Sequence, residues 1–301
     1  MGTPFISLLE PTRLDGYDNT KPHTSQPPHI PKVFLDAMEV REAVFVGEQN
    51  VPLPFEYDAD DARSCHWVVY ASVNRTTEPE ERDSRTGEVT KPRKSETRST
   101  PIGTLRVVPF PHPPHPPDGA RYVGNVLQED DGKDDGNALL GKDDSSSPSA
   151  ATARPRARTL TSVDTERQAS ALPFGADPPT TYHDGKEPYV KLGRLAVIPM
   201  FRGHHIAGQL WRAAKAWLEE HPTFFDPSVT ELGMDQLKAG GAGDIPKWNG
   251  LICCHSQESV VKIYEKWGFK VDEGMGKWYE EGIPHVGMFQ RLNIKQVNPK
   301  V

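Results

Sequence analysis

Long apolar runs are missing from this sequence. No stretch approaches the roughly 20 consecutive apolar residues that span a bilayer, and the first residues lack the basic and apolar regions of a secretory signal, so no membrane partner is expected. Cysteine is scarce, three in 301 residues, and Cys253 and Cys254 are adjacent inside an apolar run. That excludes a disulfide framework and points to a reducing compartment, cytoplasmic with the nucleus left open. Positive charge is in deficit: 35 Lys and Arg stand against 42 Asp and Glu, a net charge of −7. The balance argues against a dedicated nucleic-acid binder and leans towards a cationic or amine ligand. Metal-ligand spacing is also lacking. His112 and His115 sit in a proline run, and in Cys253-Cys254-His255 adjacent strand residues point to opposite faces, so no metal is expected.

What is present is uneven. With 29 Pro and 25 Gly, the reading is one folded domain over 1–301 carrying two insertions. Phe5-Ile6-Ser7-Leu8-Leu9 reads as a first strand, and Phe34, Ala37, Met38, Arg41 and Phe45 share one face of a helix from about Pro31 to Val46. An acidic, proline-broken loop over 48–61 follows. Cys65 to Val73 and Pro101 to Pro109 read as antiparallel neighbours. Between them, 74–100 is charged and almost without large apolar residues, and is expected to be a mobile loop. The segment 111–188 is successively Pro-rich, acidic and Gly-rich, then Ser, Ala and Arg-rich. It cannot bury enough apolar surface to offset an ordering entropy of roughly 1 to 2 kcal/mol per residue. It is expected to be largely disordered, apart from a short strand near Tyr122 to Leu127, and to offer a surface to a protein partner.

The stretch from Val190 to Leu210 then reads strand, turn, helix start, with Ile206, Leu210, Ala213, Ala214 and Trp217 at helical spacing. Free N–H groups at a helix start beside Arg202 and Gly203 suit an anion, most simply a phosphate. Leu251 to Cys254 reads as a buried strand, and Ser256 as the cap of a helix carrying Val260, Ile263, Tyr264 and Trp267 and ended by Gly268.

Three strings carry a family resemblance. Arg202-Gly203-His204-His205-Ile206-Ala207 after a strand is similar to the acetyl-CoA signature of the GNAT superfamily of N-acetyltransferases, with His205 where the family has glycine. Arg41, Val44-Phe45-Val46, Glu48-Gln49, Pro52, Glu56, Asp58 and Asp61 resemble its ElaA-like branch, as does Tyr279-Glu280-Glu281-Gly282-Ile283-Pro284-His285-Val286-Gly287-Met288. The resemblance implies an α/β acyl-CoA N-acyltransferase fold: a central mixed, mostly antiparallel sheet flanked by helices, here with long disordered insertions. It also implies transfer of acetyl from acetyl-CoA, as cosubstrate, directly to a primary amine of a small molecule. A protein or peptide amine, or a non-catalytic CoA-binding or interaction module, are the alternatives.

Under that resemblance the N–H groups of Arg202, Gly203, His204, His205, Ile206, Ala207 and Gly208 cradle the CoA pyrophosphate. At His205 a Cβ crowds that approach, or a protonated ring adds a contact to phosphate. The backbone of Leu195, Ala196 and Val197 pairs with the pantetheine arm and polarises the thioester. Tyr264 matches the tyrosine that returns a proton to the thiolate. An amine needs a base, for which Glu48 is first and His285 second. Glu56 and Asp58, with Asp61, offer a negative wall to a cationic substrate, and His66 and His255 complete the substrate side.

Overall fold

The computed structural model describes residues 5–124, 126–128, 177–226 and 247–294. Its strands are β1 (Phe5–Leu9), β2 (Cys65–Glu78), β3 (Glu81–Arg82), β4 (Val89–Lys91), β5 (Lys94–Val108), β6 (Arg121–Val123), β7 (Val126–Leu127), β8 (Val190–Val197), β9 (Leu251–Gln257), β10 (Lys270–Val271), β11 (Lys277–Glu280) and β12 (Ile283–Arg291). Its α-helices are α1 (Lys32–Arg41), continued by a π-turn over Glu42–Val46, α2 (Ile206–Glu220) and α3 (Val261–Lys266). One sheet runs β1-β2-β5-β8-β9-β12-β11-β6-β7, with β10 also on β12. Among the described residues only β8 with β9 and β11 with β6 are parallel. The mixed, mostly antiparallel sheet flanked by helices is the architecture expected from the sequence.

Strand β2 shows why two layers cover the sheet. Cys65, Trp67, Val69 and Ala71 share a core with Ile206, Leu210, Trp211, Ala214 and Leu218 of α2, while Val68 and Tyr70 pack with Ala37 of α1. The period of two puts one helix on each face. Each fully buried Leu or Ile of the α2 stripe contributes about 1.5–3 kcal/mol by burial. Gly103 in β5 lets the start of α2 approach the sheet, since a Cβ there would lie 3.1 Å from Ile206 Cγ2 and 3.2 Å from Ala196 O. The first turn of α2 therefore sits directly over the end of β8.

Three local expectations change. The 74–100 segment is not a plain loop, because β2 and β5 continue their ladder outward to the Glu78–Lys94 pair and β3 and β4 form a small hairpin beyond it. Its threonines favour extended backbone, and Lys94 and Lys91 both reach Glu78, at 3.0 and 3.1 Å, so an exposed ribbon forms without a core. Within 111–188, residues 129–176 lie outside the described residues. Both flanks are built into the molecule, with β6 added beside β11 and Asp177, His183 and Tyr189 buried. Ser256 caps no helix: it lies inside β9 and its hydroxyl donates to Gln257 O, while a 3-10 turn over Glu258–Val260 leads into α3.

Candidate active site

The sheet opens in the middle. β8 and β9 pair side by side only from Val190/Ile252 to Leu192/Cys254. Beyond Leu192, β8 stays with β5 but slips register between Thr104 and Arg106, and Arg194 takes a left-handed φ of 49°. Such a bulge bends the strand that carries it. β9 meanwhile follows β12 as far as Gln257 opposite His285. The diverging strands leave a cavity of about 1070 Å³, walled by β8, the start of α2, α3, the loop after α1 and the end of β12.

Most of the residues singled out by the sequence meet there. Leu195, Ala196, Val197, Arg202, Gly203, His205, Ile206, Ala207 and Gly208 line one side, and Glu48, Glu56, Asp58, His255, Tyr264 and His285 line the rest. Two do not. His204 turns its Nδ1 back to the Arg202 carbonyl at 3.0 Å. His66 is buried beneath α1, edge-on to Phe34, with Nε2 donating to Asp61 O at 2.8 Å. Strand alternation turns it to the α1 face of β2, away from the opening.

His205 is the N-cap of α2 in the left-handed conformation, φ 59° and ψ 20°. This is the backbone that glycine adopts freely and that costs another residue roughly 1–2 kcal/mol. Glycine would take this backbone without that cost.

Glu48 and Arg202 hold each other. Arg202 donates Nη1 and Nη2 to the two Glu48 oxygens at 2.7 and 2.6 Å, and its Nε donates to Val197 O at 2.9 Å. The bonds from Arg202 keep the Glu48 carboxyl below its ordinary value, the reverse of what a base needs. Both side chains are nearly half exposed, at 39% and 46%.

The acidic wall is compensated. Arg41, fully buried, donates Nε to Glu56 Oε1 and Nη1 to Asp61 Oδ1, both at 2.7 Å, and Nη2 to the Glu56 carbonyl. Arg106 donates to Asp58 at 2.6 and 2.9 Å and to Asp61 at 2.7 Å. Arg194, on the bulge, donates to Asp58 at 3.0 Å. Burial pushes the Asp61 carboxyl up, but Arg41 and Arg106 outweigh it and hold the group far below its usual range. Three guanidinium groups match three carboxylates, so this side presents no net negative face to a cation. It locks the 48–61 loop to the bulge instead.

Tyr264 is buried against Trp267 and Phe269 and still reaches the cavity. Burial, with a smaller push from Cys254, raises its phenol well above the ordinary value, so it stays protonated at neutral pH. His285 donates Nδ1–H to Ile283 O at 2.9 Å, which leaves Nε2 as its basic nitrogen, 4.0 Å from Glu280 Oε2. Its ring stacks on Trp278. His255, half-buried, faces His115 with the two ring nitrogens 3.5 Å apart.

Sequence reasoning missed Lys191, Gln49, Gln257 and Glu280 of the same cavity. Gln257 donates to Gln49 Oε1 at 3.0 Å, tying the end of β9 to the loop after α1. A signal existed for part of this: Cys253, His255 and Gln257 alternate along β9 and share one face. Nothing local marks Arg106 or Arg194, because their partners lie 45 to 138 residues away.

No family model matches the chain, and no curated relative does. Solved structures similar to it include ElaA of Escherichia coli, at 15% identity and a TM-score of 0.40 over 96% of this chain and 100% of that one. An acyl-CoA N-acyltransferase from Pseudomonas aeruginosa is similar at 14% identity and a TM-score of 0.39, over 96% and 99%. No helix among the described residues is long and apolar enough to cross a membrane.

Proposed function

We propose that the chain is an N-acetyltransferase that moves acetyl from acetyl-CoA directly to a primary amine of a small molecule. The observation that carries this reading is the parting of β8 and β9 beyond Leu192 and Cys254, with a helix start at one lip and a buried tyrosine opposite. The parting leaves the β9-facing edge of Gly193 to Val197 without a strand neighbour, and an extended amide chain such as pantetheine can add there. At the end of that edge, Gly203, His205, Ile206, Ala207 and Gly208 line the cavity, and the N–H groups of such a helix start suit a pyrophosphate.

The chemistry follows from the two protonation states. The amine nitrogen attacks the thioester carbon, His285 Nε2 takes the ammonium proton, the C–S bond breaks, and Tyr264 gives its proton to the leaving thiolate. His285 displaces Glu48 as the base in this reading, because Ile283 O holds its Nδ1–H and leaves Nε2 to take a proton, whereas Glu48 is paired with Arg202 before the cofactor arrives. The phosphates compete with Glu48 for Arg202. An exposed ion pair contributes only about 0–1 kcal/mol, so a doubly charged ligand displaces it readily.

Calorimetric titration with acetyl-CoA, followed by thiol release over a panel of small amines, polyamines and peptides, tests the reading. Binding and turnover are expected, with kcat lowered about 10²-fold or more in Tyr264→Phe, the range for loss of a positioned acid. Binding without turnover on any amine leaves a CoA-binding module, and no binding at all ends the proposal.

A further inference from the structure

Outside the cleft, the two flanks of the 111–188 segment bring together a second group of side chains that the transfer chemistry does not use. One ligand atom each from His115, Asp177 and His183 lie within 4.8 Å of one another, and all three side chains are buried. His183 donates its Nε2–H to Glu187 O at 2.8 Å, so its Nδ1 carries the lone pair, and that Nδ1 is buried with no hydrogen-bond partner among the described residues. His115 Nε2 is likewise buried and without a hydrogen-bond partner, 3.5 Å from Asp177 Oδ2. The Asp177 carboxylate accepts from Tyr189 Oη and from the His115 N–H, both at 3.2 Å. Among the described residues no Lys or Arg lies within 4.0 Å of it.

Two aimed, unpartnered imidazole nitrogens beside a buried carboxylate without a cation make a costly arrangement for a plain core. We propose that His115, Asp177 and His183 bind a divalent transition-metal ion of the zinc class.

Two imidazoles and one carboxylate are ligands that zinc accepts, with a fourth position left for water or the Tyr189 hydroxyl. The outer partners have the usual logic: the far nitrogen of His183 is fixed by a carbonyl, and Asp177 is fixed by a hydroxyl and an amide. Bonds of about 2.0–2.1 Å at tetrahedral angles bring ligand atoms to about 3.3 Å, so the three must close by roughly 1 Å or so. His115 precedes the 129–176 stretch and the other two follow it, so the ion joins the two ends of a segment that spans 62 residues from His115 to Asp177. Its role is then a staple holding both ends over β9 and β12. A neighbouring group, His115 with Cys253 and His255, offers a competing donor set around the same ring. Its His255 already faces His115 nitrogen to nitrogen, whereas the Asp177 and His183 side carries the charge and the second unpartnered nitrogen.

The test uses untagged full-length chain stripped with a chelator, then titrated with zinc chloride and, separately, cobalt(II). Expected are one ion per chain, a rise in Tm on zinc addition that is reversed by chelator, and visible d–d absorption from bound cobalt. His183→Gln and Asp177→Asn weaken zinc binding at least tenfold while acetyl-CoA titrates as in the wild type, and Cys253→Ala leaves zinc affinity unchanged. Absence of stoichiometric zinc and cobalt binding by the folded wild-type chain overturns the proposal, with no variant needed. Zinc affinity lost in Cys253→Ala but kept in His183→Gln overturns it as well, because the ligand set is then the other one.

Discussion

Glu48 shows how a single contact bears on a role assigned from position. In sequence it is a carboxylate in a family string, one loop from the cleft. In the structure both its oxygens are held by Arg202, and that pair lowers its carboxyl and weakens it as a proton acceptor until a ligand takes Arg202. His285, second by position, has a free basic Nε2 inside the cavity because Ile283 O fixes its other nitrogen. The two assignments separate by kinetics. Glu48→Gln is expected to lower kcat less than about tenfold and to tighten acetyl-CoA, since Arg202 is released to the phosphates. His285→Gln is expected to cost about 10² to 10⁴ in kcat, the range for a general base. Steady-state rates at saturating amine decide, and a larger loss in Glu48→Gln returns the base to Glu48. The strand-turn-helix at 190–210 and Tyr264 were legible because local pattern encodes them. The neutralised wall of Glu56, Asp58 and Asp61 was not, since its arginines come from three other elements and only the fold makes them neighbours.

At the scale of elements, the C-terminal string is explained by how β11 and β12 turn and pack. Glu281 and Gly282 both take positive φ, 50° and 78°, in a two-residue connection whose ends pair as Glu280 with Ile283. That backbone is the favoured hairpin turn and explains a glycine at its second position. Gly287, five residues on, answers to packing: a Cβ there would stand 2.0 Å from Met275 Sδ. Met275 is walled by Tyr189, Leu251, Trp278 and Phe289, so its thioether has little room to retreat. Gly287→Ala is therefore expected to lower stability by about 1–3 kcal/mol, the usual cost of overpacking. Adding Met275→Ala to it should recover part of that loss, and urea unfolding of the two single variants and the double variant reads the coupling. Additive losses would place the strain elsewhere. The strings thus told that something specific happens here, while the reason, a methionine crossing a strand, needs the third dimension. The outer ribbon of β2 and β5 is the converse case. Its residues are polar and exposed, so composition alone read as a loop what cross-strand pairing makes a strand.

The whole molecule answers to pH in part through the junction of β2, α1 and the 48–61 loop, alongside His112, His115 and His255, which burial also holds low. His66 sits in it with Asp61 on one side, Arg41 and Arg106 near, and Phe34 against its ring. Burial is the largest influence and pulls its pKa from 6.5 down to about 4; Asp61 opposes this, and Arg41 and Arg106 add to it. The geometry agrees, since Nε2 donates to a carbonyl and Nδ1 is buried without a hydrogen-bond partner among the described residues. In the unfolded chain His66 takes a proton near pH 6.5, and in the folded chain it does not until about 4. Between those values the unfolded state binds more protons, so stability falls as pH falls, by roughly 3 kcal/mol at most from this one group, and no further below 4. Asp61 and Asp58, whose carboxyls the arginines hold low, act next: their stabilisation is complete above the ordinary carboxylate pKa and is lost below it. The acid limb should therefore have two stages. Urea unfolding of wild type and His66→Gln, measured from pH 8 to pH 3, separates them. The variant is expected to show a shallower slope between about 6.5 and 4 and the same steep loss beneath. Equal slopes in both proteins through the upper window would mean that the neutral imidazole under α1 adds nothing to the acid limb of this fold.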